Sequence, residues 1–334
     1  MSDEKNCLTV FVDPKKYLKD KPPPAPAGKE KTQVKVRVDL LEILTLSVVE
    51  MKIITKYNLY LEWVDPRITF YNLKENMDLN GLLQEEMEKM WIPTTIFANT
   101  QSNKFSALDK KSIGVVNRVG LFTQSTIDEK ENIYKFKGKD NPITLSRVYE
   151  TEWICMYDMR WYPFDTQWCT MQFKTSEDLG IFVNLTADGH EYSGPTELTQ
   201  YFVRGTRLFM QKRKNNLYSV VFEVSLGRRL TATFLTAFLP TILLNVIGHA
   251  TNYFKDFFFE AVVTVNLTVM LVLTTMFINI SSALPVTSYV KMIDLWLIFN
   301  LILPFLEVLL HTYKVTEFDL YMIVNCCILG HVER

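Results

Sequence analysis

The stretch VTVNLTVMLVLTTMFINI, residues 263–280, decides the fold of this chain. With the two residues before it, it forms a segment from 261 to 280 that has no charged side chain. About 20 such residues in a helix cross the hydrocarbon core of a bilayer, so the segment predicts a membrane span. At about 100° per residue, seven side chains of this helix fall within an arc of about 80°. They are Glu260, Thr264, Thr268, Leu271, Thr275, Ile278 and Ser282.

Two interpretations of this hydroxyl-rich face are open. The threonines can bond back to carbonyls of their own helix or hold neighbouring helices together, as is common in membrane spans. Alternatively, several copies of the helix surround water, so that the hydroxyls line a pore and Glu260 contributes to a ring of carboxylates at one mouth. The helix alone does not separate the two.

Composition divides the chain into two parts. The 334 residues are 48% hydrophobic with a formal net charge of -1, which leaves room for a soluble domain followed by a membrane domain. The near-zero charge and short basic patches argue against a nucleic-acid partner. Charged residues are frequent up to about residue 226, whereas residues 230–313 contain three long apolar segments.

The first part has the pattern of β-strands. Val34, Val36, Val38 and Leu40 alternate with polar residues, and the same period of two recurs in residues 68–73 and 217–226. Many short strands with one buried face predict a β-sandwich. Residues 78–90 fit a short helix or an extended loop, and Asn184 begins a glycosylation sequon.

The second part predicts three spans. The first covers 230–254 and contains Pro240, and the third covers 289–313, with Asp294 and Glu307 too deep to face lipid comfortably. Basic residues after the third span predict that this end is cytoplasmic, which puts Glu260 at the inner mouth and Ser282 at the outer one. The apolar segment 318–329 is too short to cross a bilayer.

The ends and the cysteines complete the pattern. Residues 1–31 include KPPPAPAGKEK and predict a flexible leader, while residues 315–334 are expected to be an incomplete tail. No hydrophobic signal peptide precedes the leader, so we expect a signal to have been removed or replaced. Thirteen residues separate Cys155 from Cys169 and no histidine lies beside them, which favours a disulfide over zinc. In the chain-entropy model such a loop stabilises an exported domain by roughly 3 kcal/mol.

These features together closely resemble the pentameric ligand-gated ion channels, the Cys-loop receptors. The resemblance covers residues 32–313. It depends on motifs that occur in order along the chain: Trp63 with Asp65, Trp91 with Pro93, WYPFD (161–165) inside the cysteine loop, Arg228-Arg229, Pro240 and Pro285.

The resemblance implies an immunoglobulin-like, all-β extracellular sandwich (32–227) followed by an α-helical transmembrane bundle (228–314). It further implies a multi-pass protein of the plasma membrane, in contact with lipid, with its N-terminal domain outside. Five subunits, expected to be identical, would form a ring, with a small-molecule agonist between neighbouring sandwiches and a pore of five second spans.

Individual pore positions follow from the resemblance. Leu271 and Ile278 match the family's apolar gate, which closes by dewetting. Glu260 matches a position where cation-conducting relatives carry an acid, whereas anion-conducting relatives usually have Pro-Ala before a basic residue. Five carboxylates in a constriction attract cations, so we predict selectivity for monovalent cations. An alternative is that Glu260 only caps the helix N-terminus.

The resemblance also implies a coupling junction between the domains. It would be formed by the turn 49–52, the loop tip 162–165, Arg229 and the linker 281–289, which includes Pro285. Pro163 and Phe164 would make apolar contacts, and either Glu50 or Asp165 would pair with Arg229. Either acid could instead be solvated.

The chain departs from acetylcholine receptors at the agonist pocket. Three positions of the aromatic cage that holds a quaternary ammonium fall on Asn58, Ala98 and Ser176, and the segment MQKRKNN (210–216) is basic and lacks vicinal cysteines. These residues therefore argue against acetylcholine as the agonist. Candidate contacts for a less cationic ligand are Tyr60, Ser176, Phe209 and Tyr218.

The predicted function is a homopentameric, ligand-gated cation channel, not an enzyme, with no cofactor and no metal site. One alternative is an accessory or non-conducting subunit that binds ligand or partner subunits. A second is gating by protons, with His190 and His249 as groups that titrate in the useful range. An anion-selective channel is a third, which Glu260 disfavours.

Overall fold

In the computed structural model, the described residues are 8–13, 16–26, 28–101, 104–120, 123–124, 134–213, 217–254 and 258–329. The N-terminal part is built of strands and the C-terminal part of long helices. Along the chain the strands are β1 (Thr9–Phe11), β2 (Thr32–Ser47), β3 (Lys52–Trp63), β4 (Thr69–Tyr71), β5 (Gly81–Leu82), β6 (Ile96–Phe97), β7 (Lys104–Phe105), β8 (Ile113–Val116), β9 (Thr123–Gln124), β10 (Tyr134–Lys137), β11 (Ile143–Ile154), β12 (Thr166–Lys174), β13 (Val183–Tyr192), β14 (Tyr201–Lys212) and β15 (Tyr218–Arg228).

The strands form a sandwich of two large sheets with a smaller sheet beside them. The six-stranded sheet has the order β13-β2-β3-β11-β8-β5, and the five-stranded sheet has the order β14-β15-β12-β6-β7. The four-stranded sheet has the order β1-β4-β10-β9. Most pairs are antiparallel, but β13 runs parallel to β2. The predicted β-sandwich is confirmed.

The core lies between the two large sheets. In β2 the valines at 34, 36 and 38 are fully buried, as their period of two predicts. At the centre, Tyr57, Phe97, Trp153 and Phe173 pack with ring centroids 5.5–6.2 Å apart. Such aromatic contacts contribute stability beyond the area they bury.

The predicted flexible leader is wrong for the described part of residues 8–31. Strand β1 pairs with β4, and Pro23 is buried. Tyr17 donates a hydrogen bond to the buried carboxylate of Asp65 (2.9 Å) and accepts one from the Trp91 amide (2.8 Å). The apolar residues between the charges of this segment therefore pack against the sandwich.

The helices of the N-terminal part are single turns. A 3-10 turn covers Met77–Leu79, α1 covers Gln84–Met87 and α2 covers Glu177–Gly180. The segment 78–90, predicted as a helix or a loop, thus contains two short helical turns separated by β5.

The first apolar helix is interrupted near its start. It consists of α3 (Leu230–Thr233), a π-helical turn (Phe234–Phe238), α4 (Leu239–Ala250) and a 3-10 turn (Thr251–Tyr253). Pro240 is the second residue of α4, two residues after the π-helical turn ends. Proline has no N–H to donate to the carbonyl four residues earlier, and a wider turn accommodates this loss without ending the helix.

The other two long helices are α5 (Phe259–Ser282) and α6 (Met292–Leu329). Within the described residues, three helical segments are long and apolar enough to cross a membrane: Leu230–Tyr253, Phe259–Ser282 and Met292–Lys314. The third begins later than predicted because the Asp294 carboxylate accepts the Lys291 backbone N–H (3.1 Å) just before the first turn. Residues 315–329, predicted as part of an incomplete tail, continue α6 without a break.

Candidate functional site

One face of α5 is open on the isolated subunit. All seven positions predicted to line a pore are exposed, including Leu271 at 66% and Ile278 at 58%. The opposite face is buried, at Val262, Asn266, Val269 and Leu273. The buried face packs against the other two spans, whereas the predicted face stays exposed within the described part of the subunit.

The hydroxyls on this face bond back to their own helix. Thr264 donates to the Glu260 carbonyl (2.7 Å), Thr268 to Thr264 (2.7 Å), Thr275 to Val272 (2.7 Å) and Ser282 to Asn279 (2.9 Å). The two interpretations from the sequence are therefore compatible, because each side chain is back-bonded and exposed at once. Each hydroxyl uses its hydrogen on the backbone and keeps oxygen lone pairs toward the open face.

Asn266 anchors the inner part of α5, a role that the sequence analysis missed. Its amide donates to the Thr251 hydroxyl (3.0 Å) and to the Val262 carbonyl (3.0 Å), and its side chain is fully buried. In the sequence, this role is indicated only by a single amide side chain on the face of the helix opposite the hydroxyl stripe. Asn266 links α5 to the end of the first span.

A polar cluster joins the inner ends of the first and third spans. His249 Nδ1 lies 3.2 Å from Glu307 Oε1, and Asn252 contacts His249 (3.1 Å) and His311 (3.0 Å). Glu307, which is too deep to face lipid, thus has partners inside the subunit. Asp294 pairs with Lys291 at 3.5 Å.

The coupling pair differs from the prediction. Arg228, not Arg229, binds Asp165: its Nε donates to Oδ1 (2.6 Å) and its Nη2 to Oδ2 (3.0 Å). Both side chains are almost fully buried, at 6% and 2% exposure. Neighbouring residues in extended backbone point in opposite directions, so Arg229 faces outward and pairs with Glu197 (3.4 Å).

Aromatic rings and a glutamine complete the surroundings of this pair. The Arg228 guanidinium lies 4.5 Å from the Tyr162 ring centroid and 4.6 Å from that of Tyr201. Burial disfavours its charge, but the hydrogen bonds and charge of Asp165 more than compensate and raise the pKa of Arg228. Gln167 donates to Asp165 Oδ2 and to the Asp158 carbonyl (2.7 Å), which fixes the loop.

The cysteine loop contacts the helices directly. The Met159 amide donates to the Tyr289 hydroxyl (3.0 Å), and the Met292 amide donates to the Arg160 carbonyl (2.9 Å). The Phe164 ring lies 6.2 Å from that of Phe238. A cavity of ≈260 Å³ lies at this contact, lined by Pro163, Phe164, Phe238, Met292, Ile293, Leu295, Trp296 and Phe299. Pro285, in the linker after α5, is buried.

Glu50 has a different partner from the one expected. It lies in the turn between β2 and β3 and pairs with Lys52 at 2.6 Å, because the turn brings these two side chains together two residues apart. The neighbouring Met51 carbonyl accepts the Cys155 amide (2.8 Å), so the turn contacts the cysteine loop through its backbone.

The predicted modification sites lie on or next to strands. Cys155 directly follows β11 and Cys169 lies within β12, and the two form a disulfide with their Cα atoms 5.2 Å apart. Both cysteines are buried. Asn184 lies in β13 and is half-buried.

The four candidate agonist contacts lie on separate elements. Tyr60 belongs to β3 in the six-stranded sheet, with the Arg37 guanidinium 5.7 Å from its ring. Phe209 and Tyr218 belong to β14 and β15 in the five-stranded sheet. Ser176 caps α2, where its hydroxyl accepts the Leu179 amide (3.3 Å). The single subunit does not bring these side chains into one pocket.

A β-sandwich that contacts three membrane-length helices through a disulfide-closed loop is the architecture of a membrane protein with a folded domain outside the bilayer. The chain matches the family model described as the neurotransmitter-gated ion-channel ligand binding domain over residues 11–229. That match covers more than half of the chain, which therefore belongs to the neurotransmitter-gated ion channel family. The resemblance predicted from the sequence is confirmed, and with it an extracellular N-terminal domain on a membrane channel subunit. Members of this family are channels and not enzymes.

One relative gives a measure of similarity. The chain is 27% identical over 269 residues to the gamma-aminobutyric acid receptor subunit beta-like of Drosophila melanogaster. The aligned part is 74% of this chain and 49% of the relative, so the chain spans about half the length of the curated relative it matches.

Proposed function

We propose that this chain is the subunit of a homopentameric ligand-gated ion channel whose pore is lined by α5. The observation that carries the proposal is the asymmetry of that helix: its polar stripe is exposed on the isolated subunit, and its opposite face is buried against two spans. Back-bonded hydroxyls are tolerated in hydrocarbon, but a carboxylate is costly there, so a stripe that includes Glu260 is not expected to face lipid. Water between five copies of the stripe removes that cost.

Cation selectivity is the second part of the proposal. Glu260 is exposed in the first turn of α5, where five copies would form a ring of carboxylates. The back-bonded threonines add oxygen lone pairs along the same path, which also favours cations. The rival is an anion channel, and the named relative, a receptor subunit for gamma-aminobutyric acid, makes that amino acid the first agonist to test.

The agonist pocket is proposed to form between subunits. Tyr60 lies on one sheet, Phe209 and Tyr218 lie on the other, and Ser176 caps α2, so we propose that a neighbouring subunit completes the pocket. Arg37 beside Tyr60 carries a guanidinium, which suits a carboxylate better than a quaternary ammonium, although within the subunit it pairs with Asp39 (3.0 Å) and Glu191 (3.3 Å). This arrangement supports an agonist other than acetylcholine.

The test of the pore needs no agonist. Leu271→Thr hydrates the apolar gate and is expected to open some channels spontaneously. Surface labelling confirms expression, and the leak current is recorded while external sodium and chloride are exchanged separately. The matched control is Leu273→Thr, on the buried face of α5, which is expected to give no leak.

The outcomes distinguish the candidates. A reversal potential that follows sodium supports the cation channel, whereas one that follows chloride contradicts the role given to Glu260. Surface protein without current in Leu271→Thr contradicts the pore and supports the accessory, non-conducting subunit.

Gating by protons is a second candidate, favoured by the contact between His249 and Glu307. Protonation of His249 would strengthen its attraction to that carboxylate and hold the first and third spans together, with His311 as a second titratable neighbour through Asn252. Activation is compared from about pH 4 to 8 for wild type and His249→Phe. A shift of the activation curve supports this mechanism, and two coinciding curves exclude His249 as the sensor.

A further inference from the structure

A pocket lies on the outer face of the five-stranded sheet, beside the candidate agonist contact Phe209 and away from the stripe of α5. Its volume is ≈250 Å³, and it is lined by Trp168, Arg204, Gly205, Thr206, Arg207, Glu223 and Ser225. Trp168 is half exposed (52%), whereas its neighbour Cys169 is buried in the core. The alternation along β12 therefore directs the indole away from the core and toward this pocket.

A bulge in β14 opens the space. The register between β14 and β15 shifts between Val203 and Gly205, which places an extra residue, Arg204, in β14. A Cβ added at Gly205 would meet no atom within 4 Å. The floor beside Ser225 is therefore open to a ligand, and a larger side chain at position 205 would fill it without a clash at the backbone.

The pocket contains more positive than negative charge. Arg207 donates from Nε to Glu223 Oε1 (2.5 Å), and its guanidinium lies 5.4 Å from the Trp168 ring and 5.1 Å from that of Phe209. Arg204 lies over the Phe202 ring (5.3 Å) and pairs with no acid among the residues that the structure describes. The lining thus contains two guanidinium groups and one carboxylate, and among the described residues the terminal nitrogens of both arginines have no acidic partner.

We propose that this pocket binds a carboxylate carried by a molecule with a flat apolar body. Planar guanidinium groups bind carboxylates through paired hydrogen bonds, and the Trp168 face offers an apolar surface next to them. Arg207 is already held in position by Glu223 and two rings, so less side-chain freedom is lost on binding.

The carboxylate can come from two sources. Ser225 precedes the start of the first span by five residues, which is about 16 Å of extended strand, so the pocket lies near the outer membrane surface. A soluble organic acid and the serine headgroup of a phospholipid share the chemistry that the arginines recognise.

The test measures binding of 4-fluorobenzoate to the full chain in phosphatidylcholine nanodiscs. Binding is detected as broadening of the fluorine NMR signal of the ligand. We expect Gly205→Phe to abolish the broadening and Arg204→Gln to weaken binding about tenfold, as loss of a hydrogen bond to a charged group predicts. Arg204→Lys keeps the positive charge, so its affinity should lie between those of wild type and Arg204→Gln. The control is Arg160→Gln, which alters another exposed arginine beside an aromatic ring and an acid and should bind like wild type.

The outcomes are decisive without any channel current. No broadening with wild type, or equal binding by wild type, Gly205→Phe and Arg204→Gln, overturns the proposal. Where the variants lose binding, the titration is repeated in nanodiscs with phosphatidylserine. Competition by that lipid identifies the headgroup as the source, and unchanged binding identifies soluble acids.

Discussion

At the scale of single residues, the choice between two adjacent arginines determines the junction. Arg228 is buried against Asp165, and Arg229 is half exposed beside Glu197. The sequence could not separate them because β15 is buried on both faces from Ser219 to Gly227, so its hydrophobic pattern does not show which residues face the core. The sequence therefore predicted Arg229 as the partner of Asp165, whereas the partner is the preceding residue, Arg228.

Asp165→Asn tests the weight of this pair. The substitution leaves the buried guanidinium of Arg228 without a counter-charge, which is expected to cost about 3–5 kcal/mol of unfolding free energy. The matched control Glu197→Gln removes the partner of the exposed Arg229 and should cost about 0–1 kcal/mol. Both losses of stability are measured by heating the detergent-solubilised protein and determining the remaining folded fraction by size-exclusion chromatography. Equal losses for the two variants would show that the buried pair has no special role.

At the scale of elements, the N-terminal segment and the sandwich form one packed unit. Tyr17 hydrogen-bonds the buried Asp65, and the Arg67 guanidinium lies 4.3 Å from the Tyr17 ring while it also pairs with Asp65 (2.7 Å). Proline and charge content predicted a flexible leader because composition measures average burial. Composition cannot show that a single tyrosine, Tyr17, donates a hydrogen bond to a buried carboxylate.

The pH dependence of stability tests this docking. Burial raises the pKa of Tyr17 above its ordinary value of 10.0, so its contribution is complete below that pH and is lost as the pH rises above it. Tyr17→Phe should lower stability by about 1–3 kcal/mol at neutral pH, because Asp65 and the Trp91 amide lose a partner. The difference in unfolding free energy between wild type and Tyr17→Phe should become smaller above about pH 10. The control Tyr71→Phe should be neutral, and a gap that widens with pH would contradict the docking.

At the scale of the whole molecule, the sequence predicted the sandwich and the three spans, because alternation and apolar length are direct consequences of burial. It also predicted the stripe of α5, since helical geometry alone places Glu260 and Ser282 on one face. It did not predict the continuous helix α6, because Lys314, Glu317 and Asp319 interrupt the apolar pattern while the backbone remains helical. The agonist pocket could not be predicted because its candidate residues lie on separate elements, namely the two large sheets and the cap of α2.

The central claim is that the exposed stripe of α5 lines the ion path, and accessibility of introduced cysteines tests it most directly. In the Leu271→Thr background, Thr268→Cys and Thr275→Cys place thiols on the stripe, Val269→Cys places one on the buried face, and the background alone controls for native cysteines. A charged, water-soluble thiol reagent is applied while the leak current is recorded. The account predicts a rapid change of current for the two stripe positions and none for Val269→Cys. Modification at Val269→Cys with no effect at the stripe would contradict it.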